Sequence, residues 1–455
     1  MTEQGELELS VTQRDADLLS ALFRKADRVF VKKLSNNDRD WARLKNKRQA
    51  GVYIPHEQRD GGFFPGLEVM QRDDPGADEI REAYFSTIWP QAGERDSLKQ
   101  SRLVHYTSKG QETHITRLPK SVFADLLPAS FLVMGQIQLA DEIVYECLTI
   151  NSASDEVALL LELFPFGPQF LIGEFDPTEL RRREHDRVLG FADQVIAAWL
   201  KGEIDLFARN NATMPKTAEL ALLARQTFLR NHELDDLNPF MIETPGDALR
   251  EISRHVEWEL FREFQRKERS VELVRTVLGD KRVEVDAVDA IKRLIDSFPA
   301  IDALMLSASQ QRKSRAGYSY EHQIEAMLTD GSIPFDKQPI VEARKRPDFV
   351  LPSLEFIDSG KPGSETGLIL SAKTTLRERW KQVEREKKGH RTLYLTTVDE
   401  NIAGNAIEDM ASFGVNLVIP ESLKESKETE YEGHDNVLSF REFCDSAVRP
   451  HLPVW

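Results

Sequence analysis

Apolar and polar residues alternate in three different ways along this chain of 455 residues. Up to residue 176, short runs rich in β-branched and aromatic residues are separated by Gly and Pro clusters, which is typical of strands joined by turns. The runs that predict strands are VFVKKL, GVYIP, SRLVHYTS, THITRL, SFLVMGQIQL, IVYECLTI and LFPFGPQFLIGEF. They predict a β-rich N-terminal domain over residues 1–176, in the form of a partly open barrel. The run LLLEL at 159–163 fits a helix as well as a strand.

The pattern changes to a helical period between residues 177 and 296. Apolar residues recur every three to four positions in FADQVIAAWLKGEIDLF, TAELALLARQTFLRN and ALREISRHVEWELFREFQRKERSVELVRTVL. This period predicts long amphipathic helices, whose charge runs are solvated faces. We expect this helical middle region to link or support its neighbours.

From residue 297 to the end, helical and strand patterns alternate. A helix is predicted from Tyr320 to about Leu328, and strands are predicted at 349–351, at 368–373, in TLYLTTV and in VNLVIP. Strands that alternate with helices predict a mixed sheet flanked by helices, so residues 297–455 form an α/β domain. The chain as a whole has the pattern of an α+β protein with several domains.

Composition narrows the function. The net charge is −16 and the pI is about 5.3, which argues against a non-specific polyanion binder but not against a local basic cleft. The two cysteines, Cys147 and Cys444, fit no metal-ligand spacing and are expected to be buried thiols. The start MTEQGELELS lacks the features of a signal peptide, and no apolar run approaches the roughly 18 residues of a membrane span. We expect a cytoplasmic protein without a membrane anchor.

One stretch, GLILSAKTTLRERWKQVEREKKG at residues 367–389, carries the candidate chemistry. Its apolar start predicts a buried strand that ends at Lys373, and Thr374 and Thr375 supply N-cap hydroxyls for a helix. Between Lys373 and Arg391 there are eight Lys/Arg against three Glu, although the chain is acidic. The stretch therefore predicts a strand followed by a basic helix.

Two carboxylates are expected to meet Lys373. Asp348 follows Pro347 at the entrance of another strand, and Glu386 lies on the helix that leaves the same edge of the sheet. Carboxylates that hold Mg²⁺, with a lysine to orient water, are suited to hydrolysing a phosphodiester. The set therefore suggests a metal-dependent phosphodiesterase. Taken singly, Asp348 also fits a turn, Lys373 a strand end and Glu386 a solvated helix face.

The start of the basic helix carries candidate base-reading residues, Arg377, Glu378 and Arg379. Arginine can bond guanine O6 and N7, and glutamate can accept from cytosine N4 in the major groove. The alternative is an ordinary mixture of surface charges. Two basic clusters suit either phosphate contacts or exposed loops, namely RKSR, which ends at Arg315, and RKR at 344–346.

At these residues the chain resembles the EcoRII family of type II restriction endonucleases. The matching blocks are RKSRAGYSYEHQIEAML, KRPDFVLPS, SAKTTLRERWKQVEREKK and FGVNLVIPESL, in the order of the family's catalytic domain. The resemblance implies that residues 297–455 are a PD-(D/E)XK nuclease domain whose second acid comes from the helix.

The resemblance also implies roles for the residues. Asp348 and Glu386 would be the carboxylates of a Mg²⁺ site, and Lys373 would be the catalytic lysine. Glu321 would assist from the first helix, and Glu325, one turn on, could compete for that role. The Arg-Glu-Arg triplet resembles SsoII-like members, which implies a CC/GG-type site in double-stranded DNA.

The N-terminal pattern resembles the same family's effector-DNA-binding domain, a B3-like pseudobarrel. The matching segments, VFVKKLSNND, GVYIPHE and FFP, lie between positions 29 and 65. This resemblance implies type IIE behaviour, in which the N-terminal domain inhibits the nuclease until it binds a second copy of the site. The candidate contacts lie in one arm, which also fits an exposed basic loop: Arg95, Lys99, Arg102, His105 and Lys109.

Two nuclease domains are expected to pair as a homodimer, because cutting both strands of a symmetric site calls for two-fold symmetry. Two other functions stay open, a non-catalytic DNA-binding regulator and a structure-selective nuclease that acts on branched or damaged DNA. The complete set Asp348, Lys373 and Glu386 disfavours the regulator. The Arg-Glu-Arg triplet disfavours the structure-selective nuclease.

Overall fold

The computed structural model of the chain describes residues 15–44, 51–70, 79–93, 97–110, 112–279, 285–340, 346–376 and 392–455. The chain divides into two compact units, one up to Arg183 and one from Glu184. The predicted boundaries at residues 176 and 296 stay predictions. No helix within the described ranges is long and apolar enough to cross a membrane.

The first unit is built mainly from strands. Its helices are Asp15–Lys25 (α1), Asn36–Arg43 (α2), His56–Asp60 (α3) and Glu156–Leu163 (α4). Its strands are Arg28–Lys33 (β1), Val52–Ile54 (β2), Glu68–Val69 (β3), Ile80–Ile88 (β4), Lys99–Tyr106 (β5), Thr113–Thr116 (β6), Phe131–Leu139 (β7), Glu142–Ile150 (β8) and Ile172–Phe175 (β9). The ambiguous run 159–163 is therefore helical.

These strands form one sheet in the order β2-β6-β5-β4-β8-β7-β1-β9, with β3 paired to β4. All the pairs are antiparallel except β4 with β8. Strand β1 shows the period of two that drives the fold, because Phe30 packs into one apolar cluster while Val29 and Val31 pack into another. Around β1, β7 and β8 the sheet is therefore covered by apolar side chains on both faces.

The first six predicted runs lie in β1, β2, β5, β6, β7 and β8, and the last run forms a strand only at its end, β9. Strand β4 was not predicted. It buries Ile80, Ala83 and Phe85, but Arg81 and Glu82 stand between them. A half-polar strand beside longer apolar ones gives a weak period-two signal.

The second unit combines helices with a smaller sheet. Its helices are Pro177–Lys201 (α5), which begins before the unit boundary, Ile204–Asn211 (α6), Thr217–Asn231 (α7), Pro245–Glu251 (α8), Glu257–Leu278 (α9), Ala287–Asp296 (α10), Phe298–Asp330 (α11), Leu354–Asp358 (α12), Gly404–Ser412 (α13), Glu421–Lys424 (α14) and Phe440–Glu442 (α15). A π-helical turn, Ile252–Val256, joins α8 to α9. The predicted helix at 320–328 is the C-terminal part of the longer helix α11.

The strands of the second unit are Asp336–Lys337 (β10), Phe349–Leu351 (β11), Leu368–Ala372 (β12), Thr392–Thr396 (β13), Val415–Ile419 (β14) and Val437–Ser439 (β15), in that order across the sheet. The pairs from β10 to β12 are antiparallel and those from β12 to β15 are parallel. The mixed sheet agrees with the predicted α/β pattern.

The two faces of this sheet belong to different apolar clusters. In β12, Leu368, Leu370 and Ala372 pack into one cluster, and Ile369 packs into the other. All five residues of β12 are buried, as expected for a strand covered on both faces.

The helical middle region shares a core with the sheet. Phe228 of α7 and Leu249 of α8 belong to the same cluster as Ile324 of α11 and Leu370 of β12. Burying a large apolar side chain contributes roughly 1.5–3 kcal/mol, so these helices are held to the sheet by several such contacts.

Candidate active site

Asp348 and Lys373 meet because β11 and β12 are antiparallel neighbours. Asp348 comes immediately before β11 and Lys373 immediately after β12, and the register pairs Phe349 with Leu370. The start of one strand therefore lies beside the end of the other, at a single edge of the sheet.

The carboxylate of Asp348 is the centre of this edge. It is only 6% exposed, and its Oδ2 accepts hydrogen bonds from the Ala372 backbone N–H at 2.7 Å and from Lys373 Nζ at 2.8 Å. Both of these bonds go to the same oxygen. A buried carboxylate is tolerated when it is paired and hydrogen-bonded, and Lys373 and the backbone provide that here.

Glu321 of α11 lies on the same side. Gln338 joins it to Asp348, because the Gln338 side chain donates to Glu321 Oε2 at 3.1 Å and its backbone N–H donates to the Asp348 carbonyl at 2.9 Å. Burial, and then the negative charge of Asp348, raise the pKa of Glu321 to about 7, against the opposing effect of Lys373. A carboxyl with this pKa can exchange a proton near neutral pH.

Glu325, the alternative to Glu321 as the helical carboxylate of the site, has other partners. Lys337 Nζ lies 2.5 Å from Glu325 Oε2, and His322 Nδ1 lies 3.4 Å from the same oxygen. The geometry therefore favours Glu321 over Glu325 as the helical carboxylate beside Asp348.

Thr396, at the end of β13, joins the helix to the strand end. Its hydroxyl lies 2.8 Å from the Tyr320 hydroxyl, and its carbonyl accepts from the Lys373 backbone N–H at 3.0 Å. Tyr320 is fully buried and directly precedes Glu321. The same residue therefore fixes both the helix that carries Glu321 and the backbone of Lys373.

Gln338 and Thr396 were not found from the sequence. Neither belongs to a motif, and each reaches the site only through the register of a neighbouring strand. Local sequence offers no signal for either residue.

Several predicted site residues lie outside the described residues. These are Glu386, the base-reading residues Arg377, Glu378 and Arg379, and Arg95 of the N-terminal arm; the side chains of Arg315 and Lys109 are not described either. Their predicted roles stay predictions.

The remaining arm residues lie in and beside β5 of the first unit. Arg102 forms an ion pair with Glu82 of the adjacent strand β4. His105 Nδ1 lies 3.0 Å from the Glu112 carbonyl, and Lys99 is the first residue of β5. The ion pair uses Nε and Nη2 of Arg102.

An aspartate, a lysine and a glutamate at one edge of a mixed sheet can hold a divalent cation and a water molecule against a phosphodiester. The fold and the site together define a mixed α+β protein in which Asp348, Lys373 and Glu321 lie at one edge of the second sheet.

Comparison with known proteins identifies the family. Residues 278–444 match the family model for the EcoRII C terminal. The type II restriction enzyme SsoII of Shigella sonnei is 30% identical over 221 residues, which cover 46% of this chain and 70% of that enzyme. The type II restriction enzyme EcoRII of Escherichia coli is 25% identical over 401 residues, covering 87% of this chain and 88% of that enzyme. The chain belongs to this family of type II restriction endonucleases, which are site-specific deoxyribonucleases.

A solved structure of metal-depleted Ecl18kI in complex with uncleaved, modified DNA is also similar. It is 24% identical, covers 59% of this chain and 85% of its own, and gives a TM-score of 0.43.

Proposed function

We propose that the chain is a Mg²⁺-dependent type II restriction endonuclease that cuts double-stranded DNA at a CC/GG-type site in the cytoplasm. The observation that carries the proposal is the bond between the buried carboxylate of Asp348 and Lys373 Nζ, at 2.8 Å. Glu321 lies beside this pair. Burying a charge costs free energy. Its presence at this edge of the sheet supports a catalytic role over that of a regulator without catalytic activity.

The donor set fits Mg²⁺. Within the described residues no group of three or more His, Cys, Asp or Glu is placed to hold a metal ion, but Asp348 supplies one buried carboxylate. Because its Oδ2 accepts from Ala372 and Lys373, Oδ1 would be the oxygen that binds a cation. With Glu386 as the second carboxylate, the ligands would be oxygens, as Mg²⁺ prefers.

The chain's own residues would orient and protonate the reactants. Mg²⁺, when bound, would neutralise phosphate charge and favour ionisation of a bound water. Lys373 would hold the attacking water in line with the scissile bond. Glu321, whose pKa is about 7, would accept or release a proton in the site. A P–O bond to the water oxygen would form and the P–O3′ bond would break. The proton of the water would pass to the solvent and the leaving 3′-oxygen would take up a proton, so the products carry a 5′-phosphate and a 3′-hydroxyl.

The CC/GG specificity rests on Arg377, Glu378 and Arg379. Two arginines and a glutamate at the start of the helix that the sequence predicts would match the donor and acceptor pattern of adjacent G·C pairs. Glu378 would accept from cytosine while the arginines bond guanine. Two nuclease domains would form a homodimer, so that each cuts one strand.

The first unit would act as a B3-like effector domain. Its curled sheet, with Arg102 and His105 on β5, would bind a second copy of the DNA site. When no second copy is bound, the unit would inhibit the nuclease. This is the type IIE behaviour implied by the family resemblance.

Incubating plasmid DNA with the full chain and Mg²⁺ tests the proposal. Discrete fragments are expected, because cleavage at a fixed site yields fixed lengths, and sequencing their ends gives the site and the cut position. EDTA should abolish the fragments. Absence of cleavage even with an added oligonucleotide carrying a CC/GG site would favour the regulator, and a smear without sequence preference would favour the structure-selective nuclease.

Deleting residues 1 to about 175 tests autoinhibition. The shortened chain should cut a plasmid with a single site about tenfold faster or more. Coupling free energies between two sites are typically about 1–3 kcal/mol, and about 1.4 kcal/mol corresponds to a factor of ten. Circular dichroism should first show that the shortened chain is folded. An inactive or unchanged rate in a folded protein would argue against inhibition by the first unit.

A further inference from the structure

The segment that follows Lys373 is held by two residues far away in sequence. The Thr374 carbonyl accepts a hydrogen bond from Arg254 Nη2 at 2.8 Å. Two residues on, the Leu376 backbone N–H donates to Asp399 Oδ2 at 2.7 Å. Leu376 is itself fully buried. The backbone directly before residue 377 is therefore fixed from both sides.

Asp399 reaches this segment because β12 and β13 are parallel neighbours. The register pairs Ala372 with Thr396, so both strands end at the same edge of the sheet. Asp399 lies three residues after Thr396, the last residue of β13, and Leu376 lies four residues after Ala372, the last residue of β12. The loop after β13 consequently lies against the segment after β12.

The Asp399 carboxylate is buried and built into its surroundings. It is 2% exposed, and its Oδ1 accepts from the Asn401 backbone N–H at 3.4 Å. Its backbone N–H donates to Thr397 Oγ1 at 3.0 Å, and its carbonyl accepts from the Tyr431 hydroxyl at 2.6 Å. Burial raises the pKa of Asp399 above its usual value, against the lowering effects of Arg254 and the two backbone donors.

Burying a carboxylate costs free energy that a neutral residue would not. Here the buried carboxylate contacts the segment between Lys373, the proposed catalytic lysine, and the proposed base-reading residues that begin at 377. A carboxylate is also the strongest acceptor for a backbone N–H. These observations suggest a demand for an exact backbone position at Leu376.

We propose that Asp399 is a positioning residue for specificity: by holding the Leu376 backbone it sets where the base-reading segment begins relative to Lys373. Asp399 does not touch DNA in this role. A shift at Leu376 moves the two functional parts relative to each other, so base recognition and cleavage lose their alignment. The inference rests on the proposed roles of Lys373 and of residues 377–379.

The test compares Asp399→Asn and Asp399→Ala with the natural full-length chain. An asparagine has one acceptor oxygen, so it cannot serve both Leu376 and Asn401 as the carboxylate does. For each protein, kcat/KM is measured on the duplex found by sequencing plasmid digest ends, and on duplexes with one base pair changed. Both variants should lower the ratio of cognate to altered-site cleavage by about tenfold or more, since displacements of about 1 Å can cost a hundredfold in rate.

Asp330→Asn is the matched control. Asp330 also accepts one distant backbone N–H, that of Leu237 at 2.8 Å, but it lies at the far end of α11. This variant should lower stability while keeping the ratio, because loss of folded protein slows cleavage of every duplex equally. If the Ala variant does not fold in a thermal melt, the Asn variant decides alone.

The outcomes separate the two proposals. An unchanged ratio in a folded Asp399 variant overturns the role of Asp399, whether or not all rates fall together. If Lys373→Ala cuts like the natural chain, the proposed catalytic function fails instead, whatever Asp399 does.

Discussion

Asp348→Asn should lower the single-turnover rate of cleavage by about three orders of magnitude, which corresponds to about 4 kcal/mol of barrier. The amide keeps the size of the side chain but removes the charge that would hold Mg²⁺ and pair with Lys373. DNA binding, measured by gel shift without metal, should not weaken, because the substitution removes a negative charge that would repel the phosphate. Cleavage within tenfold of the natural rate would contradict the assignment.

Asp336→Asn provides the control for this variant. Asp336 lies on the neighbouring strand β10 and accepts from the Leu354 backbone N–H at 2.7 Å, so it resembles Asp348 as a carboxylate that accepts a backbone donor. Asparagine keeps an acceptor oxygen for this backbone N–H, so the substitution should change the stability little. Its cleavage rate, corrected for folded protein, should change by less than about threefold, which would separate loss of chemistry from loss of fold.

Lys373→Met should lower the cleavage rate by at least about a hundredfold, within the range that a positioned proton-transfer or water-orienting group contributes. Methionine retains the apolar stem and removes the ammonium group, which leaves the buried charge of Asp348 without its cation. The rate should be measured in single turnover at saturating Mg²⁺, so that weaker metal binding does not imitate a slower chemical step.

Lys337→Met is the matched control for Lys373. Its ammonium lies 2.5 Å from Glu325 Oε2, close to the site but paired with a different carboxylate. A loss as large as that of Lys373→Met would show that removing either positive charge slows cleavage, so the effect would not be specific to Lys373. A loss of threefold or less would tie the chemistry to Lys373.

Part of the fold was accessible from local patterns. The apolar runs of β1, β7 and β8 and the buried strand β12 predicted their own structure, because each is long enough to show its period. Strand β4 was missed because polar residues interrupt it. The π-helical turn at 252–256 was missed as well, since a one-residue change of helical period leaves no trace in a hydrophobic pattern.

The site divides in the same way. Asp348 and Lys373 stand next to apolar strands, so their positions at strand ends could be inferred, and the structure brings them together. Gln338, Thr396 and Asp399 enter the neighbourhood only through strand register, which depends on contacts between segments far apart in sequence. No composition or spacing rule marks such residues beforehand.

The apolar cluster that joins α7 and α8 to β12 has a practical meaning for engineering. A nuclease fragment transplanted onto another DNA-binding protein could not begin at α11, because the graft would lack residues of α7 and α8, such as Phe228 and Leu249, that share an apolar cluster with Ile324. The smallest transferable piece that keeps this cluster complete would begin near Thr217, where α7 starts.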